Sequence, residues 1–235
     1  MSNTKLFLFP YAGGAAASYN GFRQFLDPSI EFRAIELAAR GRRMREPNYN
    51  NLDEAVDDVF KIIKDELTQS PYALFGHSMG SMIAFELAYK IRDNSLPMPI
   101  HIIFSGRSAP HISREGKRTL HHLVDEEFKK QLLEMGGTPK EFFEHPELLE
   151  VFLPLLKGDF RLTETYTHGK KDAPLDVDIT VLSGKEDEDT PEEVDAFREH
   201  TTKNCDIHYF DGGHFFIHDE TKKVLDIINA AIKKH

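Results

Sequence analysis

Short apolar runs alternate along this chain with longer segments in which apolar residues recur every three to four positions. The runs KLFLF (5–9), FRAIEL (32–37), YALFG (72–76), IHIIFSG (100–106), ITVLSG (179–184) and DIHYF (206–210) read as buried strands. Between them, Leu52, Val56, Val59, Ile63 and Leu67 mark a helix over 52–69, with Asn51 at its N-cap, Glu54 three residues on, and Pro71 forbidding continuation. A second helix, Met79 to Arg92, turns Met82, Ile83, Leu87 and Ile91 inward. Others span Pro191 to Thr202 and Glu220 to Lys234. Near-continuous apolar strands separated by helices predict an α/β fold whose mostly parallel sheet has helices on both faces.

The interval from about 108 to 176 breaks this alternation. DEEFKKQLLEM, with Gly136 and Gly137 as its stop, and PELLEVFLPLLKGDF both read as helices. Such an insertion is either a second crossover layer or a lid over the carboxyl ends of the strands. Open α/β sheets bind ligands at those ends, so the expectation is one domain, 1–235, with a helical lid at about 108–176.

Composition narrows the function classes. A hydrophobic share of 40% and a charged share of 29% suit a folded globular chain. A net charge of -10 repels phosphates and argues against nucleic-acid binding. The single cysteine, Cys205, has no internal disulfide partner and reads as a buried strand residue. No run approaches the ~18 apolar residues of a membrane span. LFLFPYAGGAAAS (6–18) fits either a signal-peptide core with its cleavage site or a strand entering a glycine loop. Pro10 and two glycines interrupt the run and only Lys5 supplies a preceding base, which favours the strand. The expectation is a cytoplasmic monomer without membrane contact.

GHSMG (76–80) matches the nucleophile-elbow pattern GxSxG, which alone would occur by chance in roughly one chain of this length in fifteen. Here a strand leads in and a helix leads out, as the elbow requires. Ser78 needs a base to become nucleophilic. Of the 12 histidines, His121, His122, His145, His200 and His235 lie in polar helical or terminal settings and read as solvated surface, and His77 points away from an elbow at Ser78. His214, in DGGHFF after the last strand, is the candidate base. Chain order places an acid between serine and histidine, and SGKEDED after the fifth strand offers Glu186, Asp187, Glu188 and Asp189. Asp187 is the first choice and Asp189 the reserve. Oxyanion donors are expected from the amides of Met79 and of Ala12, or of Tyr11 in place of Ala12. This chemistry requires no cofactor and no metal.

With these residues in place, the chain resembles the type II (external) thioesterases of nonribosomal peptide and polyketide synthases, in the α/β-hydrolase superfamily. The resemblance rests on FPYAGGAAASY, ELAARGRRMREP, FGHSMGSMIAFELA, SGRSAPH, LLEMGGTP, LPLLKGDFRLTETY and DGGHFF. It implies a Ser78–Asp187–His214 triad, oxyanion amides at Ala12 and Met79, and release of acyl groups from the phosphopantetheine arm of acyl or peptidyl carrier proteins, clearing stalled or mis-primed synthases. The chain departs from the family at Ala38-Ala39, where Pro-Gly is usual, and at Phe197, where a Trp is common. Arg40, Arg42, Arg43 and Arg45 read either as solvated arginines with structural ion pairs or, through Arg42 and Arg43, as a contact for the pantetheine phosphate or acidic carrier helices. A carboxylester hydrolase of the same fold would use the same catalytic residues, whereas a non-catalytic binding protein predicts a broken triad.

Overall fold

Strands β1 (Thr4–Phe9), β2 (Ile30–Ala34), β3 (Tyr72–His77), β4 (His101–Ser105), β5 (Asp178–Gly184) and β6 (Cys205–Phe210) form one sheet in the order β2-β1-β3-β4-β5-β6. Every pairing is parallel. The computed structural model describes residues 3–235 except 114, 115, 118 and 136–144; the expected helix stop at Gly136 and Gly137 lies outside the described residues. β1 sits between β2 and β3, with Leu6, Phe7, Leu8 and Phe9 fully buried. The segment that also resembles a signal-peptide core is therefore an inner strand.

The two-residue period of the strands sorts their side chains onto two faces. Phe7, Phe9, Leu74, Ile102, Phe104, Ile179 and Val181 pack against helices α1 (Leu52–Ile63) and α2 (Met79–Asp93). Leu6, Leu8, Ala73, Phe75, Ile103 and Leu182 pack against the C-terminal helix, which joins them through Val224, Leu225, Ile228 and Ile232. Asn51 caps α1 by accepting from the Glu54 amide at 2.9 Å. The Glu54 carboxylate reaches back one residue further than a capping box requires, to the Asn50 amide at 2.8 Å.

Several boundaries differ from the sequence reading. The helix expected over 52–69 is α-helical only to Ile63 and tightens into a 3-10 helix at Lys64–Glu66, and the helix begun at PELLEVFLPLLKGDF continues to Glu164. β2 begins and ends earlier than FRAIEL, because Ile35 and Leu37 are buried beneath α1 in the loop that leaves the sheet. The expected helix over 191–202 is a short α5 (Pro191–Asp195) that tightens into a 3-10 helix at Ala196–His200. That tightening turns His200 inward, so it is buried instead of solvated. Its ring lies edge-on to Phe85 at 4.8 Å and its Nε2 is 2.6 Å from His111 Nδ1.

Between β4 and β5 the chain forms α3 (Asp125–Met135) and α4 (Pro146–Glu164). Leu120, Phe128, Leu132, Leu149, Leu153 and Leu156 give this segment an apolar cluster separate from both sheet-face cores. Its carboxyl half is tied down at named points. The Glu164 carboxylate accepts from the Leu120 amide at 2.8 Å, and Arg161 donates to the Tyr49 carbonyl at 3.1 Å. After α5, the chain closes with α6 (Phe216–Asp219) and α7 (Thr221–Lys233).

Candidate active site

Ser78 stands between β3 and α2 at φ 55°, ψ -114°, a conformation that a residue with a side chain adopts only when its surroundings enforce it. The enforcement is steric and hydrogen-bonded. A β-carbon on Gly76 would lie 2.0 Å from the Gly80 carbonyl oxygen, and one on Gly80 would lie 2.0 Å from that of Phe9. Strand, turn, helix and the neighbouring β1 thus pass too close for any side chain. The Ser78 amide donates to the Ser105 carbonyl at 2.7 Å, and Ser81 Oγ lies 2.7 Å from the Gly76 carbonyl while accepting from the Ser105 amide at 2.9 Å. The Met79 amide opens α2, where no intrahelical acceptor exists for it.

The loops after β5 and β6 are built against one another. The amides of Lys185 and Glu186 donate across to the carbonyls of Phe210 and Gly212, at 2.9 and 3.1 Å. A β-carbon on Gly184 would meet the Gly213 carbonyl oxygen at 2.5 Å. This contact sets Asp187 beside His214: its Oδ2 is 2.9 Å and its Oδ1 3.1 Å from His214 Nδ1, with the carboxylate 5% exposed. An Nδ1–H given to a carboxylate leaves Nε2 as the basic nitrogen. Asp189 is engaged elsewhere, accepting from the Ser108 amide at 2.7 Å and from Lys117 Nζ at 3.0 Å.

His77 is fully buried, with Nδ1 2.9 Å from Ser105 Oγ and its ring centroid 5.0 Å from that of His214. Burial, reinforced by His214 and His218, holds it well below the ordinary imidazole range. Burial also lowers His200, to about 4, with His111 adding to the effect. A histidine depressed in this way binds fewer protons folded than unfolded, so its neutral form contributes stability in full above an unfolded value near ~6.5. That contribution is lost progressively as pH falls from there towards the folded value. The melting temperature is therefore expected to decline between about pH 6.5 and 4, before most carboxylates titrate. A scanning-calorimetry series that stays flat down to pH 4.5 would contradict this.

The loop after β1 is a β-turn closed by the Gly14 amide on the Tyr11 carbonyl at 2.9 Å, with Gly13 at φ 74° as a type II turn demands. The Gly13 amide is already occupied: it donates to Asp159 Oδ2 at 2.7 Å. Asp159, on α4, also receives both arms of Arg40, at 2.8 and 2.9 Å, and Arg40 reaches the carbonyls of Gly14 and Ala38. Arg40 and Asp159 are each 3% exposed. One buried ion pair therefore joins the glycine loop, the loop after β2 and α4. The sequence reading did not single out Asp159, although a signal was present. It falls on the stripe Phe152, Leu155, Leu156, Asp159, Leu162, a charge at a core position of a helix.

The expected site residues divide in space. Ala12, Ser78, Asp187 and His214 line one cavity of about 950 Å³. Its apolar wall comes from α3 and α4 through Leu132, Met135, Phe152, Leu155, Leu156 and Phe160. Arg42 and Arg43 do not line it; the arginines in its wall are Arg40 and Arg107. The Arg43 guanidinium is committed to Asp58 at 2.6 Å, to Glu46, and to the Glu36 carbonyl at 3.1 Å, while Arg42 is exposed. The two family departures also have places. Ala39 sits at φ 63°, a left-handed position suited to the usual glycine, and buried Phe197 stacks on Phe104 at 4.6 Å.

Comparison with known proteins extends this picture. The thioesterase domain model matches residues 4–232. Linear gramicidin dehydrogenase LgrE of Brevibacillus parabrevis is 37% identical over 98% of this chain and 88% of its own length. The crystal structure of ClbQ from the colibactin NRPS/PKS pathway superposes with a TM-score of 0.94 at 34% identity, covering 99% of this chain and 98% of that one. The type II thioesterase BorB from the borrelidin biosynthetic cluster gives 0.89 at 33% identity, covering 98% and 93%. With an elbow serine, a histidine–aspartate pair and near full-length matches of this kind, the chain belongs to the thioesterase family of thioester hydrolases, and groups there with the type II enzymes of nonribosomal peptide and polyketide pathways.

Proposed function

We propose that Ser78, His214 and Asp187 act as a catalytic triad that releases acyl or aminoacyl groups from the phosphopantetheine arm of carrier protein domains, restoring stalled or mis-primed synthases. The observation that carries this reading is the buried Asp187 carboxylate on His214 Nδ1, in the same cavity wall as the strained serine. Ser78 Oγ attacks the thioester carbonyl carbon as His214 Nε2 takes its proton. The carbonyl oxygen becomes an oxyanion held by the amides of Ala12 and Met79. Collapse breaks the carbon–sulfur bond, and the imidazolium protonates the departing thiolate. His214 then deprotonates a water that attacks the acyl-serine, releasing the carboxylic acid and returning the proton to Ser78. The nucleophile, base and charge stabiliser all come from the chain, so the reaction needs neither cofactor nor metal. The phosphopantetheine arrives as part of the substrate.

The apolar wall on α3 and α4 suits the acyl chain, and those helices act as a lid. In this reading the acting unit is a monomer. Arg43 serves the fold through Asp58 and Glu46, leaving Arg42 as the contact for an acidic carrier surface. Two other readings are weaker. LgrE bears a dehydrogenase name, yet this sequence contains no G-x-G-x-x-G, and its β1 runs into a 3-10 helix (Ala16–Gln24) in place of a nucleotide-binding α-helix. A carboxylester hydrolase would share the triad, and rates decide between them. The same acyl group should be cleaved with higher kcat/KM from a carrier protein than from an oxygen ester. Arg42→Glu should raise KM for the carrier substrate while sparing a short free thioester. An ester turned over as well as the carrier thioester would favour the esterase.

A further inference from the structure

His101 and Asp178 are the first residues of β4 and β5 and are paired in register on the parallel ladder. They lie at the amino ends of the strands, opposite the end that carries Ser78. The last residue, His235, returns to them just beyond α7. His101 Nδ1 is 3.4 Å from His235 Nε2, which is 3.4 Å from Asp178 Oδ2, and all three atoms lie within 4.8 Å of one another.

Those separations are long for hydrogen bonds, which centre near 2.7–3.2 Å. They match the edge of a tetrahedral zinc site, about 3.3–3.4 Å for ligands about 2.0–2.1 Å from the metal. The outward sides of buried His101 and partly buried Asp178 are already held. His101 Nε2 lies 2.8 Å from Thr180 Oγ1, a contact that turns Nδ1 towards the cluster. Asp178 Oδ1 accepts from both the amide and the side-chain nitrogen of Asn204, at 3.0 Å each, leaving Oδ2 for His235. Hydrogen-bonded supports of this kind fix tautomer and orientation in metal sites.

We infer that His101 Nδ1, Asp178 Oδ2 and His235 Nε2 form a binding site for a zinc-class divalent cation, with water as the fourth ligand, that clamps the end of α7 to the base of the sheet. Two imidazoles and one carboxylate suit Zn²⁺ and discriminate against Mg²⁺, which prefers an all-oxygen octahedral shell. The ion is structural, because its ligands sit at the opposite end of the strands from the triad.

The test uses the full chain without an affinity tag, stripped with a chelator and titrated with ZnCl₂ by calorimetry and thermal melting. The expected result is saturable binding of one ion per chain, a raised melting temperature, and no response to MgCl₂. His235→Ala, which removes a surface ligand, and Asp178→Asn should each weaken binding by at least about tenfold. Hydrolysis of a short thioester by His235→Ala should match the wild type, showing that the variant is folded. Absence of saturable binding, or wild-type binding by His235→Ala, would overturn the inference.

Discussion

Ser78→Ala is expected to lower thioester hydrolysis by on the order of 10⁴-fold or more while leaving the fold intact. The rate falls because no other group at the elbow can form the acyl intermediate, and the residual activity reflects binding and oxyanion stabilisation alone. The fold survives because the positive φ of Ser78 is imposed by backbone contacts: the Ser78 amide on Ser105 and the close approach of Gly76 to Gly80. Alanine meets the same constraint. Asp187→Asn should cost a comparable ~10⁴-fold, since an amide cannot stabilise the imidazolium and favours the wrong tautomer. Circular dichroism and melting of both variants should match the wild type. Wild-type turnover by Ser78→Ala would remove the serine from the mechanism.

Asp159→Leu carries the second large effect, and it acts on stability first. Removing the carboxylate leaves the Arg40 charge buried without its partner, a loss of about 3–5 kcal/mol. Adding Arg40→Met should recover much of that stability, because two apolar side chains in place of a buried ion pair are close to neutral. Activity should not recover with it. The Gly13 amide has still lost its acceptor, and the turn that positions the Ala12 amide keeps the Gly14–Tyr11 bond but no longer its tie to α4. The double variant is thus expected to melt near the wild type but to turn over at least about tenfold more slowly, as when an oxyanion donor is misplaced. A double variant restored in both respects would show the pair to be purely structural. A single variant that melts with the wild type would remove the ion pair from the stability account altogether.

The elements were legible where local signals agreed. Continuous burial along β1, β3, β4 and β5 follows from apolar runs that must fill both sheet faces, and the glycines of GHSMG are explained by backbone crowding once strand and helix flank them. Reading failed where tertiary contacts decided. Ile35 and Leu37 look like strand residues but are buried by α1 outside the strand. His200 looks like a polar helix residue, and only the 3-10 tightening after Asp195 brings it against Phe85. Spacing preferred Asp187 to Asp189, two residues apart in one acidic loop, and the zipper between the loops after β5 and β6 is what sets Asp187 and not Asp189 beside His214. Arg40 and Asp159 are 119 residues apart, and no local pattern announces their pairing.

The central claim is that Ser78 takes the acyl group from a carrier-bound thioester. Rapid-quench mass spectrometry of the intact enzyme mixed with an acyl carrier protein tests it most directly. The account predicts a transient mass increase equal to the acyl group, mapped to the peptide containing Ser78 and absent from Ser78→Ala. Turnover of the carrier substrate with no adduct on that peptide, and at an equal rate in Ser78→Ala, would contradict it.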